Sequence, residues 1–136
     1  MEFLVNIDVD DLDRAIQFYT SAFDLQVGRR FGADAVELLG GSAPIYLLVK
    51  QAGSHASILP SQARNYDRHW TPVHLDLIVE DIDTSVQRAT AAGATLERPV
   101  QSSNWGKLAL MADPFGHGFC IVQFVGSGYD EITTPQ

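Results

Sequence analysis

Cysteine is almost missing from this chain: of 136 residues only Cys120 is one, so no internal disulfide framework holds the fold together. Positive charge is scarce as well. Nine Lys and Arg face 17 Asp and Glu, a net charge of -8 with a pI near 4.7. Such a surface field repels phosphate backbones and anionic lipid, which argues against nucleic-acid and membrane partners. No apolar run approaches the ~18 residues that a membrane span needs. Met1-Glu2-Phe3-Leu4 provides no basic segment leading into an apolar one, so no targeting peptide is expected. Gly40-Gly41 is not followed by a helix whose N-terminus would cradle phosphate, and a nucleotide cofactor is not indicated. Paired cysteines for a structural zinc and a Gly-x-Ser-x-Gly nucleophile turn are both absent. The expectation is a soluble, cytoplasmic protein with one continuous core, for which 46% hydrophobic content over this length is sufficient.

What is present is a repeat. Asn6 to Gln17 returns as Asp76 to Gln87 at a constant offset of 70, pairing Val9 with Val79, Asp11 with Asp81, Asp13 with Asp83 and Gln17 with Gln87. Ile7/Leu77, Asp10/Glu80, Leu12/Ile82 and Ile16/Val86 are exchanges of like for like. A supersecondary unit written twice changes the fold expectation before any single element is assigned.

Each unit reads as a strand, a helix and three further strands. Val5, Ile7 and Val9 alternate with Leu4, Asn6 and Asp8, and Val73, Leu75, Leu77 and Val79 alternate with His74, Asp76 and Ile78, the period-two pattern of a strand with two unlike faces. Asp11 and Asp81 are placed to cap the helices that follow, with Asp13 and Asp83 adding negative charge in the first turn. The helices carry apolar stripes through Leu12, Ala15, Ile16, Tyr19 and Phe23, and through Ile82, Val86, Ala89 and Ala92, and Gly93 suits a left-handed C-terminal cap. A meander follows each helix: residues 27–31, 35–39 and 45–49 in the first unit, and 96–100, 107–111 and 119–124 in the second. Asp113-Pro114-Phe115-Gly116 carries the residue preferences of a type I turn. The units therefore span about residues 3–49 and 73–125, with a polar connection over 50–72 long enough to carry function or cross to a partner subunit, and a tail over 126–136.

Two tandem βαβββ units, each with a capping Asp and with an Asp-Pro-x-Gly turn before the last strand, resemble the vicinal oxygen chelate superfamily, which includes glyoxalase I, extradiol dioxygenases, fosfomycin-resistance enzymes and bleomycin-binding proteins. The resemblance runs from about Phe3 to Val125. It implies an α+β fold in which the strands form an open curved sheet or half-barrels with the helices outside and the ligand inside. It also implies four metal-ligand positions in the enzymatic members, on the first and last strands of each unit. Transferred to this chain, these positions are Leu4, Tyr46, His74 and Cys120, and the last stands where the metal enzymes generally have Glu. Leu4 donates nothing, so the chelate reads as lost and no cofactor is expected. The alternative is a divalent, soft ion held in a rearranged geometry by His74, Cys120 and Asp76.

Strand parity places His74 and Asp76, like Asn6 and Asp8, on the face opposite the helix-packed residues, which the resemblance implies is the ligand-facing side; the resemblance adds Leu4, Tyr46 and Cys120, and Trp105 in a loop offers an aromatic platform. Each has a bland counterpart: His74 as a hydrogen-bonded strand residue, Cys120 as a small packed hydrophobe, Tyr46 and Trp105 as packing aromatics, Trp70 as a pin for the connection. The chemical readings make His74 a metal ligand or general base, Cys120 a thiolate activated by it, and Tyr46 a hydrogen-bond donor. Arg29, Arg30, Arg64 and Arg68 either recognise an anionic substrate or are merely solvated. Three functions follow. The first is a metal-free protein binding a small aromatic or amphipathic molecule in its concave cavity. The second is a glyoxalase- or dioxygenase-type enzyme (lyase, isomerase or oxygenase), and the third is an interaction module with a vestigial pocket. The strand edges of each half-barrel lead to the expectation of a homodimer.

Overall fold

The computed structural model describes residues 1–135, so the final residue of the tail, Gln136, lies outside the described residues. The chain divides into two compact units, Met1–Asp67 and a second beginning at Arg68, with the boundary inside the polar connection. Among the described residues no helix is long and apolar enough to cross a membrane.

In the first unit, β1 (Val5–Val9), α1 (Leu12–Phe23), β2 (Gln26–Phe31), β3 (Ala35–Leu39) and β4 (Ile45–Val49) follow the expected order. The sheet runs β1-β4-β3-β2, with β1 parallel to β4 and the other pairs antiparallel. Asp11 caps α1 by accepting from the Arg14 N–H at 3.0 Å. The buried stripe of α1 is Ala15, Phe18, Tyr19 and Ala22. Phe18 and Ala22 thus join it, while Leu12, Ile16 and Phe23 lie half-buried at its margins. Phe18 is the largest side chain enclosed here, and its ring stands edge-on to Tyr19 and Phe23. Beneath the helix a cross-strand row of Ile7, Leu47 and Val36 forms the floor of the core. Parity then sends Asn6, Tyr46 and Glu37 to the opposite, open face. The connection is ordered: His55 and Ala63 bridge two antiparallel segments, and Arg64 reaches back to the Asp8 carboxylate at 2.8 Å.

The second unit repeats the plan with β5 (Leu75–Ile78), α2 (Ile82–Ala92), β6 (Thr95–Leu96), β7 (Gln101–Ser102), β8 (Gly106–Ala112) and β9 (Gly118–Phe124). Its sheet runs β5-β9-β8-β6, with β7 also on β8. Asp81 caps α2 through the Asp83 and Thr84 N–H groups, and Gly93, at φ 124°, ends it. Ile82, Val86 and Ala89 pack over Ala109, Met111 and Ile121, all buried. Gln123 fastens helix to sheet, its Oε1 accepting from the Ile82 N–H at 2.9 Å.

Two expectations need correction. The strand anticipated over 96–100 is broken into β6 and β7, because Pro99 has no N–H to give to β8. From Leu96 to Gln101 the edge advances five residues while β8 advances three, from Met111 to Leu108, so two residues loop out. The first strands are also shorter than expected: Leu4 and His74 each precede their strand by one residue. In the tail, Gly128–Ile132 forms a 3-10 helix.

Candidate functional site

On the open face of the first unit, the sheet builds a polar cluster around a buried carboxylate. The register of β2 against β3 slips between Val27 and Arg30, so Gly28 and Arg29 together oppose Glu37. A bulge of this kind re-aims a side chain, here Arg29, across the face. Glu37 Oε1 accepts from the Arg29 backbone N–H at 3.1 Å and from Nε at 3.1 Å, and Oε2 accepts from Nη2 at 2.6 Å. Tyr46 completes the cluster by donating its hydroxyl to Oε2 at 2.9 Å and accepting from Arg29 Nη2 at 2.8 Å. Glycine at 28 leaves room for the carboxylate, since a Cβ there would meet Glu37 Oε1 at 2.6 Å. The Arg29 side-chain bond, then its backbone N–H and the Tyr46 hydroxyl, hold the Glu37 carboxyl at about 2, and Glu37 in turn, through its hydrogen bond and its charge, raises the guanidinium above its ordinary value. Phe31 borders the cluster, with the Arg29 Cζ 5.7 Å from its ring centroid and the Tyr46 ring at 6.1 Å.

The second unit places a different set at the matching position. Asp76 is the cross-strand partner of Cys120 as Asn6 is of Tyr46, so the alignment of Tyr46 with Cys120 agrees with the strand registers. His74 Nε2 lies 3.2 Å from Asp76 Oδ1, and the ligating atoms of His74, Asp76 and Cys120 all fall within 4.8 Å of one another. This is a group that could hold a metal ion. Cys120 is buried, and burial first, then the Asp76 charge and a hydrogen bond to it, push the thiol up to about 11. At neutral pH such a sulfur carries its proton, which is inert behaviour rather than that of an activated nucleophile.

The remaining candidates are spread out. Leu4 is exposed and has no donor atom. Trp105 packs with Phe124 and Tyr129, at ring separations of 6.2 and 5.0 Å, and so is tied to the tail. Trp70 is 81% exposed, against its reading as a buried pin for the connection. Arg29, Arg64 and Arg68 each enter an ion pair, with Glu37, Asp8 and Glu97. Sequence reasoning missed Glu37 altogether. Its signal was a lone carboxylate inside the apolar strand Ala35-Val36-Glu37-Leu38-Leu39, where an unpaired charge would be costly.

A helix over one face of a mixed sheet, built twice at a fixed offset and leaving polar side chains on the opposite face, defines the glyoxalase, bleomycin-resistance and dioxygenase class of folds. A family model described as a glyoxalase-like domain matches residues 4–122, and the chain belongs to that family, within the vicinal oxygen chelate superfamily. An uncharacterized protein of Mycobacterium bovis is 35% identical over 133 residues, covering 91% of this chain and 84% of that protein. Among solved structures, a glyoxalase/bleomycin resistance protein/dioxygenase family enzyme from Burkholderia phytofirmans aligns with a TM-score of 0.70 at 22% identity, covering 90% of this chain and 97% of that one. A mutant of the fosfomycin resistance protein FosX from Listeria monocytogenes, complexed with Mn(II) and a dihydroxypropylphosphonic acid, aligns with a TM-score of 0.67 at 16% identity, covering 90% of this chain and 87% of that one. Both likenesses establish the fold alone.

Proposed function

We propose that this protein binds a small aromatic or amphipathic molecule in its concave cavity and that the metal chelate of its superfamily is degenerate. The carrying observation is the state of the first-unit ligand positions. Leu4 has no donor, and the Tyr46 hydroxyl is engaged at once by Glu37 and Arg29. A hard divalent ion wants about six oxygen ligands, and the second unit supplies one carboxylate, one imidazole and a protonated thiol. These residues do not fit such an ion. Exposed apolar side chains beside polar ones, Phe31 and Leu39 beside Arg29 and Tyr46, suit an amphipathic ligand. The same reading expects a cytoplasmic protein that forms a homodimer, and light scattering of the purified protein checks the dimer.

The test pairs elemental analysis with a thermal-shift screen. The expected result is Mn, Fe, Ni and Zn far below one per chain, no stabilisation by added Mn(II), and stabilisation by aromatic small molecules. Stoichiometric metal surviving purification, or metal-dependent turnover, would refute it.

One contact favours a second reading, an enzyme of the glyoxalase or dioxygenase type. Asp76 lies against His74 at 3.2 Å, the arrangement that orients an imidazole as a general base. Turnover abolished by His74→Gln without any metal requirement would select it.

A further inference from the structure

The Arg29, Glu37 and Tyr46 cluster has a chemistry of its own, and resting on the ligand-binding reading above it narrows the kind of ligand. Arg29 is two-thirds exposed, whereas Glu37 keeps only 8% of its side chain accessible. The ion pair is therefore lopsided: the carboxylate is enclosed by its partners and the guanidinium presents an edge outward. Four donors enclose the carboxylate, the backbone N–H, Nε and Nη2 of Arg29 and the Tyr46 hydroxyl, and so fix the guanidinium's orientation. Among the described residues Nη1 donates to nothing on the protein, which leaves two N–H groups of a rigid, planar fork available. Because Glu37 already neutralises the charge, the fork offers directed donors without net positive charge. Such a site prefers a neutral oxygen acceptor to a free anion, which would meet the Glu37 carboxylate just behind the guanidinium.

The surroundings set the shape. Phe31 is 44% exposed and its ring lies within 5.7 Å of the guanidinium carbon and 6.1 Å of the Tyr46 ring. Leu39, on the same face of β3 as Glu37, is 45% exposed. A flat, largely apolar body can lie on Phe31 while one oxygen meets Nη1. We infer that Arg29, braced by Glu37 and Tyr46, is the hydrogen-bond donor for a carbonyl-type oxygen of an uncharged, planar, conjugated ligand seated against Phe31.

The bulge gives this arrangement its purpose. A regular β2 would set one residue opposite Glu37, whereas the extra residue brings both the backbone N–H and the side chain of Arg29 to one carboxylate. Rigid positioning of a donor removes the ordering entropy that a free arginine would lose on binding.

Three matched probes test the inference by isothermal titration: coumarin, 2H-chromene, which lacks the carbonyl, and coumarin-3-carboxylate, which adds a negative charge. Coumarin is expected to bind about tenfold tighter than chromene, the range for one hydrogen bond from a charged donor, and at least as tightly as the carboxylate. The R29M/E37M variant removes the donor without leaving Glu37 orphaned, and it should abolish the preference for coumarin over chromene, bringing the two affinities together. In the wild type, the side-chain N–H resonances of Arg29 should shift on adding coumarin and stay in place on adding chromene, a readout independent of whether the variant folds. Equal affinity for coumarin and chromene, a preference kept in the variant, tighter binding of the anion, or no binding of any probe would each overturn the inference. Equal coumarin and chromene affinity, or binding of other molecules in the thermal-shift screen, leaves the ligand-binding reading standing. Stoichiometric metal with turnover defeats both.

Discussion

Replacing Gly28 with Ala tests the bulge directly. The new Cβ would stand 2.6 Å from Glu37 Oε1 and 3.1 Å from Leu39 Cδ1, and the first distance is shorter than real Cβ contacts allow. In most places a carboxylate would swing aside at little cost. Here it is gripped by the Arg29 backbone N–H, by Nε and Nη2, and by Tyr46, so relief requires breaking at least one of those bonds. Overpacking of this kind costs about 1–3 kcal/mol, while Gly→Ala recovers roughly 0.4–1 kcal/mol from the unfolded chain, leaving a net loss of about 1–2 kcal/mol. Urea denaturation followed by fluorescence should place the midpoint about 0.5–1 M lower with an unchanged slope. In a Glu37→Ala background the main collision partner is gone, and G28A should then be close to neutral. A neutral or stabilising G28A in the wild type, or an equal cost in both backgrounds, would refute the reasoning.

Glu37 should also leave a mark on acid stability. Its carboxyl is held at about 2 against an ordinary 4.5, so its contribution is complete above about 4.5 and drains away as pH falls from there toward 2. Carbon-detected NMR titration should find its midpoint near 2 in the wild type and clearly higher in R29M; a wild-type midpoint near 4.5 would mean that the pair does not form. Cys120, with its thiol pushed up from 9.0 to about 11, should react with iodoacetamide at pH 8 about a hundredfold more slowly than a free cysteine of ordinary acidity. Fast labelling of the folded protein would show that the sulfur is neither buried nor held protonated by Asp76.

The repeat made most of the fold legible. An offset of 70 carries Leu4 onto His74, Asn6 onto Asp76 and Asp11 onto Asp81, and the structure puts each pair at the same place relative to its strand or helix. Capping and apolar periodicity are local signals, and they survive without tertiary information. What was hidden depends on pairing between strands. The expected strand over 96–100 ran through Pro99, whose missing N–H was the available sign of a break, and only the register against β8 reveals that the edge rejoins after two residues loop out. A stripe centred on Ile16 leaves out Phe18 and Ala22, which lie a fraction of a turn away on the buried line. The alignment of Tyr46 with Cys120 rests on the likeness of Ile45-Tyr46-Leu47 to Phe119-Cys120-Ile121, and register supports it. Arg29 and Glu37 are eight residues apart on neighbouring strands, and nothing in the chain short of knowing the bulge says that they meet.

The break at Pro99 bears on how the protein behaves in a crowded solution. One edge of the second sheet offers β6 and β7, each only two residues long, separated by residues 97–100, among them a proline that has no amide hydrogen. Long, flat rims are templates on which another polypeptide can add itself strand by strand, the first step toward fibrils. On this side of the molecule growth would stall after one pair of bonds, so the irregularity that spoils the meander also guards the protein against self-assembly.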